Sequence, residues 1–227
     1  MSLTKDINIP NDLSEITLEK YKKFKNLIED DTSDMDVTTL MISTFCDLTH
    51  SEVRSLGKND YESITVILTK ALTKQSFFVD RFTLNGVEYG FIPNIDDMTF
   101  GEYIDLDTFI KNDYDDMHKV MSILYRPIKN KSFGKYLIED YTGTEDSDIM
   151  LHAPMNVIQG ALVFFYRLGK ELLKATRKYL VQYLKKNPST SHQISEADGA
   201  GIHQSLQLLE DSLEILKSQQ HLEYIKS

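Results

Sequence analysis

Six histidines offer the first candidates for chemistry: His50, His118, His152, His192, His203 and His221. No two of them lie four residues apart with a glutamate between, so the helix-borne zinc-hydrolase pattern is missing. The densest ligand-like set is Asp113, Asp115, Asp116 and His118, a spacing that suits a divalent cation. Asp113 is better read as a helix cap, because acids at a helix start complement its dipole. Asp30, Asp31, Asp34 and Asp36 lack the glycine and the final glutamate of a calcium loop. Cys46, the single cysteine, follows Phe45 on an apolar stripe and reads as a core thiol. GxxxxGK[ST], GxGxxG and GxSxG are all absent. The expectation is a protein with no catalytic residue, no cofactor and no bound metal.

What the sequence does concentrate is charge. Pro154 to Lys186 holds seven bases (Arg167, Lys170, Lys174, Arg177, Lys178, Lys185 and Lys186) and one acid, Glu171. Asp96 to Asp116 holds eight acids (Asp96, Asp97, Glu102, Asp105, Asp107, Asp113, Asp115 and Asp116) and one base, Lys111. Such runs form solvated faces or complementary docking surfaces. As docking surfaces they pair Arg167, Lys170, Lys174, Arg177 and Lys178 of one subunit with Glu102, Asp105, Asp107, Asp113 and Asp116 of the next. Net charge is −10, which argues against a dedicated nucleic-acid binder.

The elements that position these groups follow from periodicity. Lys5 to Pro10 suits one short strand. A helix follows Thr17, with Leu18, Tyr21, Phe24, Leu27 and Ile28 at helical spacing. A second follows Asp34 or Asp36. Thr49-x-x-Glu52 and Thr99-x-x-Glu102 are capping boxes, each opening a short helix. Between them, Asn59 starts a helix whose inner face is Tyr61, Ile64, Ile67, Leu68, Ala71 and Leu72. The helix after Thr99 carries Phe100, Tyr103, Ile104 and Leu106. Asn85-Gly86 between Phe78–Leu84 and Val87–Ile92 predicts a β-hairpin with a type I′ turn. A further helix begins near Asp113 with the stripe Met117, Val120, Met121, Leu124, Tyr125, and ends at Pro127. Lys135 to Tyr141 suits another strand.

Pro154 opens a long helix reaching about Lys186. Gly160 and Gly169 within it suit a kink, a close helix crossing or a tolerated surface position. Residues 187–201 read as a polar linker. In the last helix, Ile202, Leu206, Leu209, Leu213 and Leu216 follow heptad spacing. The fold class expected is α+β, mostly helical, with a β-hairpin near 78–92 and a long C-terminal αα-hairpin. Residues 1–150 form one domain and 151–227 the second part. Across 227 residues, 41% hydrophobic and 26% charged composition excludes wholesale disorder. No apolar run reaches the roughly 18 residues that span a bilayer. Met1 to Asn11 has no apolar core of a secretory signal. The expectation is a soluble intracellular protein, or part of an assembly built inside a cell.

Two groups of segments resemble phage proteins. Asp47 to Leu56, followed by Asn59-Asp60-Tyr61, resembles a helix-turn-helix of tail assembly chaperones of tailed phages. Phe91-Ile92-Pro93, Met98 to Leu106 and Leu124-Tyr125-Arg126-Pro127 resemble the ring proteins of the tail barrel in crAss-like, short-tailed phages. Together they cover residues 37 to 142; the C-terminal hairpin has no such match. The resemblance implies a virion protein of the tail or neck region, made in the host cytoplasm. Its copies repeat in a cyclic ring below the portal, touching portal and other tail or neck proteins. It implies no enzyme activity, no membrane contact and no sequence-specific nucleic-acid binding. The alternative is a tail assembly chaperone absent from the mature virion.

Overall fold

The computed structural model describes residues 7–28, 32–112, 114–167, 178 and 182. It is a mixed α+β structure. Helices α1 (Leu18–Asn26), α2 (Asp34–Phe45), α3 (His50–Arg54) and α4 (Lys58–Thr73) come first. Strands β1 (Arg81–Leu84) and β2 (Val87–Phe91) follow, then α5 (Phe100–Phe109), α6 (Met117–Leu124), β3 (Tyr125–Ser132) and β4 (Lys135–Ile138). Short 3-10 turns occupy Leu13–Glu15, Ile95–Asp97 and Ser147–His152. Residues 155–167 form a further helix, α7. Residues 7–10 form no strand, against the expectation for Lys5 to Pro10.

Local chemistry sets most helix starts. The Thr17 hydroxyl accepts the Lys20 N–H, and the Ser33 hydroxyl, rather than an aspartate, caps α2. Both capping boxes form as the spacing predicts. Helix α6 starts later than Asp113: Asp116 is its N-cap residue but makes no cap hydrogen bond.

The four strands make one antiparallel meander in the order β1-β2-β3-β4. Helix α6 runs straight into β3, because Tyr125 is at once the helix cap and the first strand residue. Tyr125 is fully buried and anchors an aromatic layer. Its ring meets Phe82 at 5.3 Å and Phe91 at 5.1 Å, edge to face, and its hydroxyl donates to the Val79 carbonyl at 2.6 Å. Gly90 on β2 lets Tyr136 of β4 lie across the sheet: a Cβ there would stand 2.5 Å from the Tyr136 ring. The Tyr136 hydroxyl then donates to the Phe91 carbonyl at 2.8 Å.

The helical core gathers Leu13, Ile16, Leu18, Phe45, Leu68 and Leu72, with Met117, Met121, Ile123 and Leu124 from α6. Helix α6 packs on the 3-10 turn Ser147–His152, and α1 packs on α2 and on that same turn. Met155 N–H to the Ile16 carbonyl (2.8 Å) and Leu18 N–H to the Ala153 carbonyl (3.0 Å) tie the start of α7 to the start of α1. Ile67, expected on the inner face of α4, is instead 36% exposed.

The chain divides into two compact units, the first continuing to Gly160 and the second beginning at Ala161. The described residues of the second are 161–167, 178 and 182, all helical. Phe164 and Phe165 there meet edge to face at 5.6 Å. The expected linker at 187–201 and the final helix lie outside the described residues, and with them the closing half of the αα-hairpin.

Candidate functional site

Helix α5 is built the wrong way round for a surface helix. Phe100, Tyr103 and Ile104 sit at i, i+3 and i+4 and share one face. They are 78%, 60% and 44% exposed. The one buried residue of α5 is Glu102. The sequence places these apolar residues, with Leu106, on a short helix; the structure turns Phe100, Tyr103 and Ile104 to solvent and a carboxylate inward.

Three polar contacts hold this orientation. Glu102 closes the capping box, accepting the Thr99 N–H at 2.6 Å, and its other oxygen meets Arg126 Nη1 at 2.6 Å. Asp105 accepts the Tyr141 hydroxyl at 2.5 Å. The Arg126 guanidinium also lies over the Tyr141 ring, 5.9 Å from its centroid. Burial pushes the Glu102 carboxyl up, but the Thr99 N–H and hydroxyl and the Arg126 guanidinium outweigh it and hold it below the usual value. Burial, then the Asp105 contact, pushes the Tyr141 hydroxyl up.

The acidic set expected to meet a neighbour is therefore partly spent inside the fold. Glu102 is not a surface group: buried against Arg126, it is removed from that set. Asp105 is bonded to Tyr141. Asp107 is exposed and pairs with Lys111 at 2.8 Å, a surface pair worth about 0–1 kcal/mol. Asp116 takes Asn112 Nδ2 at 2.5 Å and Lys119 Nζ at 2.7 Å, and Lys119 before Asn112 holds its carboxyl low. Asp113 lies outside the described residues, as do Lys170, Lys174 and Arg177. Arg167 and Lys178 are exposed. Arg126 lies in a segment the resemblance drew on, yet its pairing with Glu102 had no sequence signal.

The second unusual surface is the β3–β4 turn. Phe133 has φ 49° and Gly134 φ 78°, nearly repeating Asn85 (49°) and Gly86 (80°) in the β1–β2 turn. Asparagine tolerates this left-handed backbone; phenylalanine is a poor fit to it. The Phe133 ring is nevertheless fully exposed, at 102%. On β4, Leu137 is 65% exposed. Leu137 borders a groove of about 510 Å³ with Pro93, Asn130, Lys135 and Tyr136.

His118 belongs to the interior. Burial, then Lys22 and Lys119, lowers its pKa, while Asp148 at 3.8 Å and Asp116 oppose the shift. Among the described residues no group of three or more His, Cys, Asp or Glu is placed to hold a metal ion. No helix among them is long and apolar enough to cross a membrane. Compared with family models, curated proteins and solved structures, the chain matches none. What the site offers chemically is contact: exposed apolar side chains presented on a helix and a hairpin turn.

Proposed function

We propose that this chain is a structural virion protein of a tailed phage, repeating as a homo-oligomeric ring in the portal and tail neck assembly. The observation that carries the reading is the outward apolar face of α5, Phe100, Tyr103 and Ile104, which a solitary protein would fold inward. A ring needs two different surfaces on one chain, because a cyclic interface is heterologous. The exposed Phe133 at the β3–β4 turn supplies a second candidate surface. The likeness of residues 37 to 142 to tail-barrel ring proteins gives the setting. In this reading the protein is no enzyme and needs no cofactor. It contacts its own copies, the portal and neighbouring tail or neck proteins, and it neither enters a membrane nor reads a DNA sequence. Arg167, Lys170, Lys174, Arg177 and Lys178 serve a further contact, facing Asp107 and Asp113 of a neighbour.

A second reading, a tail assembly chaperone, draws support from α3 and α4. They form two helices joined by a short turn where the sequence resembles a chaperone helix-turn-helix. Mass spectrometry of purified particles separates the two. A ring protein is present in fixed stoichiometry with its neighbours; a chaperone is absent from mature particles. Absence from particles of every stage overturns both.

A further inference from the structure

The same sheet contains the same turn twice, once with the residue its backbone favours and once without. Asn85-Gly86 and Phe133-Gly134 differ by no more than 2° in φ at either position. At the second turn an aromatic ring is held in a left-handed conformation and wholly in water. Both features cost stability, and the fold recovers neither, since the ring touches nothing that buries it. Strain kept at an exposed position points to a use outside the chain.

The surroundings of the tip indicate its counterpart. Residues 129–135 carry Lys129, Lys131 and Lys135 and no acid. Lys129 and Lys131 are paired within the chain, to Asp140 and Glu88. Lys135 makes no ion pair with a described residue. An apolar knob with one cation beside it fits an apolar face with one anion beside it. Residues 97–107 offer exposed Phe100, Tyr103 and Ile104 with exposed Asp97 just before them; Glu102 and Asp105 are taken by Arg126 and Tyr141, and Asp107 by Lys111. Asp97 takes a hydrogen bond from Asn94 and no cation among the described residues. Two basic tips would repel each other, so a tip-to-tip pair is disfavoured.

We propose that Phe133 of one copy packs onto the Phe100–Tyr103–Ile104 face of a second copy, with Lys135 set against Asp97. The contact is head to tail: each copy gives a tip and receives one, the interface class that closes into rings. It rests on the self-association part of the ring reading, and it names the surfaces.

Disulfide trapping tests it on the full-length protein. Phe133→Cys and Tyr103→Cys are made separately and mixed under mild oxidation. Native Cys46 stays silent, because it is 5% exposed and burial pushes its thiol up to about 11. The expected result is a cross-linked dimer that forms in the mixture and not within the Phe133→Cys sample alone. A dimer from Phe133→Cys alone at equal yield, or no dimer in the mixture, overturns the proposal. Phe133→Asn gives a second readout. It restores the residue favoured at this turn, so the melting temperature should hold or rise while self-association weakens at least about tenfold. Unchanged association overturns the proposal, and the tip then serves another macromolecule. Particle composition judges the ring reading separately. A chain abundant in particles but without the cross-link keeps the ring and loses this contact; a cross-link without the chain in particles does the reverse.

Discussion

Glu102 and Arg126 meet at 2.6 Å with side chains only 4% and 13% exposed, so one ion pair inside the fold fixes which way α5 faces. Its consequence is geometric. With the carboxylate directed inward at Arg126, the i, i+3, i+4 apolar set on the opposite side of the helix is directed outward. The arrangement gives a polar seam between helix and sheet and leaves the greasy face available.

Removing one partner should hurt more than removing both. Arg126→Met leaves a buried carboxylate without its cation and is expected to cost about 3–5 kcal/mol. The double variant Glu102→Gln, Arg126→Met should recover part of that loss. Urea denaturation of the two single variants and the double variant measures the coupling. Additive losses would show that the pair is not the unit that anchors α5.

Acid should weaken the fold through carboxyls whose folded pKa is held low. Those of Glu102, Asp116 and Asp12 all lie below their ordinary values. Such groups bind fewer protons folded than unfolded, so their stabilisation is present above about pH 4 and lost as pH falls through the folded values. Thermal melts across the acid range should show this decline. Glu102→Gln should flatten its part of it, and an acid limb identical to wild type would contradict the assignment.

His118 should contribute at a higher pH. Its folded pKa lies below the ordinary value of about 6.5, so the unfolded chain binds the extra proton first. Its contribution is complete above about pH 6.5 and is lost as pH drops toward the folded value. Asp148 and Asp116 face the ring and limit the size of the effect, while Lys22 and Lys119 enlarge it. Proton NMR should find the His118 ring titrating below the ordinary histidine value of about 6.5. A His118 pKa at or above the ordinary value would reverse the sign.

Two glycines should refuse alanine. In a helix interior, alanine normally gains about 1 kcal/mol over glycine. At Gly160 the added Cβ would run into the Phe77 carbonyl oxygen, a backbone atom that cannot rotate away. Gly160→Ala should therefore destabilise, by about 1–3 kcal/mol. Gly90→Ala should do the same by displacing Tyr136 and its hydrogen bond to Phe91. A stabilised Gly160→Ala protein would show that the helix start can shift to make room.

Features encoded within a few residues were readable in advance. The capping boxes at Thr49 and Thr99 and the Asn85-Gly86 turn need only their own neighbours, and all three form. The buried stripe of α6 was equally plain, because a strong apolar period leaves one choice of face. Strand β3 was hidden, since Lys129, Asn130, Lys131 and Ser132 show no apolar alternation and the strand exists through its partners on both sides. The second hairpin turn was hidden because Phe-Gly is not a turn dipeptide that sequence rules favour. At α5 the capping box identified a helix but not which way it faces; that was decided by Arg126, distant in sequence and visible only when the sheet is assembled. The charged segments showed where acids concentrate, not which of them the fold would consume.

With a single buried residue, α5 has far less holding it to the body than α6, which buries five. In hydrogen exchange its amides should therefore open by local detachment, well before the global unfolding that exposes α6. A neighbouring copy seated on Phe100, Tyr103 and Ile104 would bind the attached state alone and slow that opening. Assembly would then register as a rise in α5 protection, while α6, already closed off by the core, would change little.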